Sequence, residues 1–462
     1  MHVLWELVGS LSAPEQKGFA KHLQDTFSRR PSLEQDLFRL IQTGKSPADV
    51  EAELFPERVR GKASRRTGAF RKLCSQLKRR LEGFVLQQHL DAHPLDRQFL
   101  LLPCIVERGL SGLLPRELSR TQTLLEAEPG WDPRMFWRQY KLTRLDHNHR
   151  IQQNLPPAEP GPLFDSFDHF WAMEKLQHLL VWLHRPRTSD DTDPPPRLHP
   201  ELMALTAPGG DLGAHPGIAL LHAACAQQSG RPIMPATHLG LLFMRQARRF
   251  SDELQNLLFA TLVHTYLRQL HADTSPTHQA QAYLWYRFGL RRGYLYRHGE
   301  LLPVHYKNLI GLAIHLRRFE MAAHYLETLS PDLPESERES LPILMRAIMH
   351  FEQGQKREVL RLRIHTLNRP SDEISVRFFL IKAAYDLGET ETIDRDMETI
   401  RMRLTRAKNL SPTLLRLLRR RLKHMRQFLK AKTPAQRRAL RAQLQAQPSP
   451  DTPWMLGHLE AG

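Results

Sequence analysis

Leucine recurs along this chain at helical spacing, and nowhere do apolar and polar residues alternate as they do in a strand. After Ser32, the residues Leu33, Leu37, Phe38, Leu40 and Ile41 fall on one face at 100° per residue. The next strong stripe is Phe70, Leu73, Leu77, Leu81 and Phe84. Ser12-x-x-Glu15 and Ser32-x-x-Gln35 have the spacing of a capping box, which marks helix starts. The same periodicity predicts helices around 97–108, 115–126, 133–144 and 164–184. Runs of β-branched and aromatic residues with period two are missing, so the expected fold class is all-α.

From Tyr283 onward the pattern repeats. Aligning Phe319, Lys356 and Thr390 gives spacings of 37 and 34 residues, close to the ~34 of a tetratricopeptide repeat. Tyr306, Leu309, Phe319, Ala322, Leu326 and Pro334 fit that consensus best. Ala347 and Gly354 fit a second unit, and Gly388, Ile393 and Met397 a third. Proline-rich segments at 155–162 and 185–196 exclude helix. The expected organisation is a basic N-terminal helical unit over 1–90 and a middle helical region over 91–185. A Pro/Gly-rich linker over 186–217, an α-solenoid of TPR-like helical-hairpin repeats over 218–445 and a tail over 446–462 complete it. Trp454-Met-Leu is expected to dock back on the last helices.

Composition adds bounds. A chain of 462 residues exceeds one simple core, and 41% hydrophobic with 25% charged residues is ordinary for a folded protein. The start, Met1-His-Val-Leu-Trp-Glu, has no export-signal pattern, and no apolar run reaches the ~18 residues of a membrane span. Cys74, Cys104 and Cys225 form no C-x-x-C pair. The expectation is a cytoplasmic protein with no transmembrane segment.

The net charge of +17 is local. Residues 58–80 hold ten Lys/Arg and no acid, and 401–441 hold fifteen and no acid; removing these 25 leaves 41 basic against 49 acidic residues. In the first segment Arg71, Lys72, Lys78 and Arg79 project away from the Phe70–Leu81 stripe, with Arg65 and Arg66 just upstream. In the second, Arg416, Arg419, Lys423, Arg426 and Lys430 oppose Leu414, Leu418, Leu422, Met425 and Leu429. These eleven residues are the candidate polyanion-binding set, weighed against a merely solvated cationic face. Phe70, Phe84 and Phe428 lie on the apolar sides, which disfavours base stacking on single strands. Arg421 falls on the apolar side and is expected to snorkel or to find an acidic partner.

The segments 290–295, 306–314 and 319–327, together with Pro453-Trp-Met-Leu, resemble a bacterial family of long all-helical, tetratricopeptide-like proteins. The agreement in helix order extends over most of the chain, including the Leu54-Phe-Pro turn. The resemblance implies a fold and no catalytic residues. Leu54-Phe-Pro, a basic stretch and Phe70 through Leu81 are also similar to the recognition-helix region of bacterial transcriptional activators that join a winged helix to tetratricopeptide repeats. This chain departs from them in lacking the β-hairpin wing and the strands before it.

Motifs for chemistry are weak. Gly44-Lys45-Ser46 ends like a P-loop, but Arg39 stands where its first glycine belongs, so a helix end at Gly44 is expected. His147 and His149, and the i,i+4 pairs Asp165/His169 and Glu174/His178, match no metal motif and read as solvated or partly packed faces. No G-x-S-x-G elbow occurs. The expected function is a non-enzymatic helical-repeat scaffold that binds a protein partner and uses no cofactor. The alternative is a nucleic-acid-binding or transcription-regulatory protein that uses the basic N-terminal helix, with the solenoid as a sensing or assembly module.

Overall fold

The computed structural model describes residues 2–26, 32–55, 63–128, 130–156, 159–185, 199–272, 275–362, 369–406 and 410–461, with backbone alone at 63–66, 271–272 and 461. The chain is all-α and divides into two compact units, Met1–Trp171 and Ala172–Gly462.

The first unit contains α1 (His2–Gly9), α2 (Ala13–Thr26), α3 (Leu33–Gln42), α4 (Pro47–Leu54), α5 (Ala63–Ala92), α6 (Pro94–Glu107), α7 (Leu114–Ala127), α8 (Pro133–Gln152) and the start of α9 (Gly161–Leu183). The capping box at α3 is complete: Ser32 Oγ accepts from the Gln35 N–H, and Gln35 Oε1 accepts from the Ser32 N–H. At Ser12 one arm forms, with Glu15 accepting from the Ser12 N–H at 2.7 Å. Gly44 ends α3 at φ +77°, Ser46 caps α4 and Lys45 pairs with Glu53, so the Gly-Lys-Ser trio is consumed by a helix end and a helix start. Leu4, Phe19, Leu37, Phe70, Leu77 and Leu81 share one core, and Leu95, Leu102, Leu118, Leu125 and Leu142 a second.

The second unit continues with α10 (His199–Leu205), α11 (Pro216–Gln228), α12 (Ala236–Gln246), α13 (Asp252–Ala272), α14 (Pro276–Arg292), α15 (Pro303–His315), α16 (Phe319–Thr328), α17 (Ser340–Glu352) and α18 (Lys356–Leu360). It ends with α19 (Pro370–Leu387), α20 (Thr390–Arg406), α21 (Pro412–Lys430), α22 (Pro434–Ala446) and α23 (Thr452–Ala461). One two-residue hairpin, β1 (Tyr296–Arg297) and β2 (Glu300–Leu301), interrupts the helices. Its turn residues His298 and Gly299 both have positive φ, as a tight primed turn requires.

The positions aligned in the sequence, Phe319, Lys356 and Thr390, are the first residues of α16, α18 and α20. Two residues before each stands a left-handed residue: Arg317, Gly354 and Gly388. Each corner closes with the same 6→1 bond, from Arg318 N to Ala313 O, Gln355 N to His350 O and Glu389 N to Ala384 O. α15/α16, α17/α18 and α19/α20 are therefore three hairpins with one corner geometry, and α15 packs on α17 as α17 does on α19.

The C-terminal segment is part of this packing. α23 buries Met455, packs Trp454 edge-on against Tyr385 and at a tilt against Phe428, and donates from Trp454 Nε1 and His458 Nε2 to Asp386. Close packing is also set by glycine: a Cβ at Gly289 would lie 2.2 Å from Phe259 Cζ. Gly289→Ala is expected to cost up to about 2 kcal/mol, overpacking outweighing the gain in helix propensity. Gly311→Ala on α15, where a Cβ meets open space, is expected to gain up to about 1 kcal/mol. Urea melts of the two variants check both signs.

Candidate functional site

α21 is the helix on which the second basic segment becomes a surface. Ser411 caps it by accepting from the Leu414 N–H, and Pro412 fits its first turn. Leu418, Leu422, Met425 and Phe428 enter the core, where α20 contributes Ile393, Met397, Ile400 and Leu404 and α22 contributes Leu440 and Leu444. That packing turns Arg416, Arg419, Lys423, Arg426 and Lys430 outward, and all five are exposed.

Arg421 adds a polar anchor on the same buried side of α21. Its guanidinium donates to both carboxylate oxygens of Asp451, at 2.8 and 3.1 Å, and lies 4.1 Å from the Phe378 ring. Lys382 Nζ reaches the same carboxylate at 3.3 Å and sits over Phe379 and Phe351. All three charged groups are buried. Burial works to raise the Asp451 carboxyl, but Arg421 and then Lys382 overcome it and hold it below its ordinary value. Burial pulls the Lys382 ammonium down, Asp451 offsetting this in part while Arg421 repels. The outlying arginine of the apolar face thus has the acidic partner expected of it.

Between α20, α21 and α22 lies a groove of about 630 Å³. Leu404, Leu422 and Leu440 form its floor, and Gln436, Ala439 and Gln443 its α22 side. Arg401, Arg419, Lys423, Arg426 and Lys430 line it, and no acid does among the described residues. Gln427 Nε2 donates to Gln443 Oε1 at 3.1 Å, leaving the enclosed Gln427 Oε1 without a partner. Arg401 is neutralised by Glu398, whose carboxyl is lowered first by that hydrogen bond and more weakly by Arg426. Arg419, Lys423, Arg426 and Lys430 form no ion pair among the described residues, whereas Arg377 of the same unit has two and Arg395, Arg403 and Arg441 have one each.

The structure therefore brings four of the eleven candidate residues together. Arg416 is on the same helix outside the groove lining. Those of the first basic segment belong to the other unit. There Arg71, Lys72 and Arg79 are exposed, while Lys78 is half-buried and pairs with Glu82 at 3.3 Å. Arg71 and Lys78 border a depression of about 390 Å³ beside Cys74, whose thiol burial pushes up to about 11. The neighbouring Arg80 pairs with buried Glu34. The side chains of Arg65 and Arg66 lie outside the described residues. Arg401, Gln427, Gln436 and Gln443 were not legible as site residues, because three helices converge on the groove and no single periodicity contains them.

No group of three or more His, Cys, Asp or Glu among the described residues is arranged to hold a metal ion. His178 pairs with Glu174 on an exposed face, and His149 is buried. No helix among the described residues is long and apolar enough to cross a membrane. In comparison with known proteins the chain matches no family model, and no curated protein and no solved structure is found to be similar to it.

Proposed function

We propose that this chain is a non-enzymatic helical-repeat scaffold that docks an acidic protein segment in the α20–α21–α22 groove. The observation that carries the reading is the line of four cations, without acidic partners among the described residues, above a floor of leucines. An acidic segment with apolar anchors uses both: carboxylates reach the rim, where charge-assisted hydrogen bonds are worth roughly 1.5–3 kcal/mol each, and apolar side chains cover the floor. A nucleic-acid duplex offers phosphates to the rim and nothing to the floor. The three thiols, none in a disulfide, fit the reducing cytoplasm in which we place the protein.

The test uses labelled peptides and fluorescence anisotropy. A peptide of repeating Glu-Glu-Leu is expected to bind, to weaken as salt rises and to bind better than its Glu-Glu-Ser counterpart. Lys423→Glu with Arg426→Glu is expected to weaken it at least about tenfold with the melting temperature unchanged. Equal binding of both peptides, or equal loss on reversing Arg71 and Lys72, overturns the reading. Duplex DNA binding that the Arg71/Lys72 reversal abolishes would establish the nucleic-acid alternative in its place.

A further inference from the structure

A second concavity of the Ala172–Gly462 unit shares no residue with the groove. It has a volume of about 710 Å³ and lies between the end of α9, α10 and α11, a size at which small-molecule sites are found. Its walls are apolar, with Trp182, Leu183, Met203, Ala226 and Ile233 among them. Four polar groups also line it: half-buried His199 at the start of α10, His222, Ser229 and Arg231.

His222 carries the argument. The residue is 3% exposed, so its ring is a buried polar group whose hydrogen bonds can be accounted for one by one. Thr206 Oγ1 donates to Leu202 O at 2.7 Å, which spends its only proton. The 2.9 Å contact between Thr206 Oγ1 and His222 Nδ1 must then run from an Nδ1–H to the threonine oxygen. Burial lowers the pKa of the ring, so the imidazole is neutral at pH 7. A neutral ring protonated on Nδ1 has a bare Nε2, and Nε2 is the one polar atom His222 has left to offer the cavity it lines. Ser229 Oγ donates to Cys225 O at 2.8 Å and is likewise left as an acceptor. Arg231 lines the cavity, is exposed, and has no acidic partner among the described residues. Besides the half-buried His199 ring at the start of α10, the cavity thus presents two acceptors within apolar walls and one cation at an exposed position.

We propose that this cavity binds a small hydroxyaryl acid, its hydroxyl donating to His222 Nε2, its ring held among Trp182, Met203 and Ile233, and its carboxylate at Arg231. The probe is 3-(4-hydroxyphenyl)propanoate, compared by calorimetry on the full chain with 3-phenylpropanoate, which lacks the donor, and with 4-ethylphenol, which lacks the carboxylate. The expected result is saturable binding of one equivalent of the first, weakened about tenfold in 3-phenylpropanoate, where the unmade bond leaves a buried acceptor unpaired, and by up to about fivefold in 4-ethylphenol, which forgoes only the exposed cation. His222→Asn places an amide N–H where Nδ1–H was and keeps the bond to Thr206, but removes Nε2; it is expected to weaken the hydroxylated probe about tenfold and to leave 3-phenylpropanoate unchanged. Arg231→Gln, at an exposed position, weakens both carboxylates and spares 4-ethylphenol. Met203→Trp fills the cavity and abolishes all three. The proposal is overturned if the native chain binds none of the probes saturably, or if Met203→Trp and Arg231→Gln both leave binding unchanged. Because the groove peptide is not involved, either outcome stands apart from the docking reading.

Discussion

Replacing Asp451 by Ala lowers the stability of the Ala172–Gly462 unit by about 3–5 kcal/mol, the range for leaving a buried charge uncompensated. The carboxylate is shared by Arg421 and Lys382, and all three side chains are closed to solvent. Its removal leaves two like charges facing each other among Phe351, Phe378 and Phe379. Urea unfolding followed at Trp454, which packs on Tyr385 and Phe428 beside this cluster, reads the loss. Lys382→Met is the informative contrast. It removes the cation whose burial is least offset, leaves Asp451 its bidentate arginine and keeps a long apolar stem between the rings. It is expected to cost less than about 1 kcal/mol or to stabilise. Equal losses in the two variants would mean that the cluster acts by packing volume rather than by charge.

The consequence reaches the groove. Arg421 and Arg419 lie on one helix two residues apart, one turned to Asp451 and the other to the groove. If the cluster fails, α21 loses one of the contacts that hold its roll, and the line Arg419, Lys423, Arg426, Lys430 is held less firmly over Leu404 and Leu440. Asp451→Ala should therefore weaken the Glu-Glu-Leu peptide as well, whereas Lys382→Met should not.

Much of this was legible in the residues. Helical periodicity depends on each segment's own face, so α3, α5 and α21 could be read from Leu37, Leu77 and Leu422 and their neighbours. The repeat was legible because its corner is local: a left-handed residue two positions before the second helix needs only a few consecutive residues to form. Arg421 showed itself by violating its own stripe. Its partner Asp451 did not, because thirty residues of chain separate them and nothing in the spacing of a lone aspartate marks it as buried. The groove was half legible for the same reason. The sequence placed Lys423 and Arg426 on a polar face, but Arg401 and Gln443 meet them only through packing of three helices. The inventory of charge counted Arg401 within an acid-free run; Glu398, just outside that run, neutralises it. The hairpin at Tyr296 was missed because two-residue strands are too short to show a period.

Acid is expected to destabilise the second unit between pH 6.5 and 4, ahead of any effect on Asp451. Thr261 Oγ1 donates to Leu257 O, so it accepts from His184 Nε2–H at 2.9 Å, and His184 Nδ1 then accepts from His264 Nδ1–H at 2.9 Å. This arrangement holds His184 neutral. Burial, with His264 and Arg268 adding repulsion, pushes its pKa down to about 4. His305 is also pushed to about 4, by burial and then by His264, and its Nδ1 is enclosed without a partner. Both folded values lie below the ordinary 6.5 of the unfolded chain, so as pH falls the unfolded state takes up protons first. The stability these rings confer is complete above pH 6.5, declines as pH falls toward 4 and changes little below it. At about 1.36 kcal/mol per pH unit of displacement, and discounted by roughly half because both rings retain some solvent contact, the two together amount to about 3 kcal/mol. Urea midpoints at pH 7, 6, 5 and 4.5 should follow that decline. In His184→Gln with His305→Phe the slope over the same interval should flatten, whatever the variant's stability at pH 7. An unchanged slope would assign the acid sensitivity to other groups, first to His222, His264 and His424, which burial also lowers, while Asp451, held below its ordinary value by Arg421, shows its loss at lower pH.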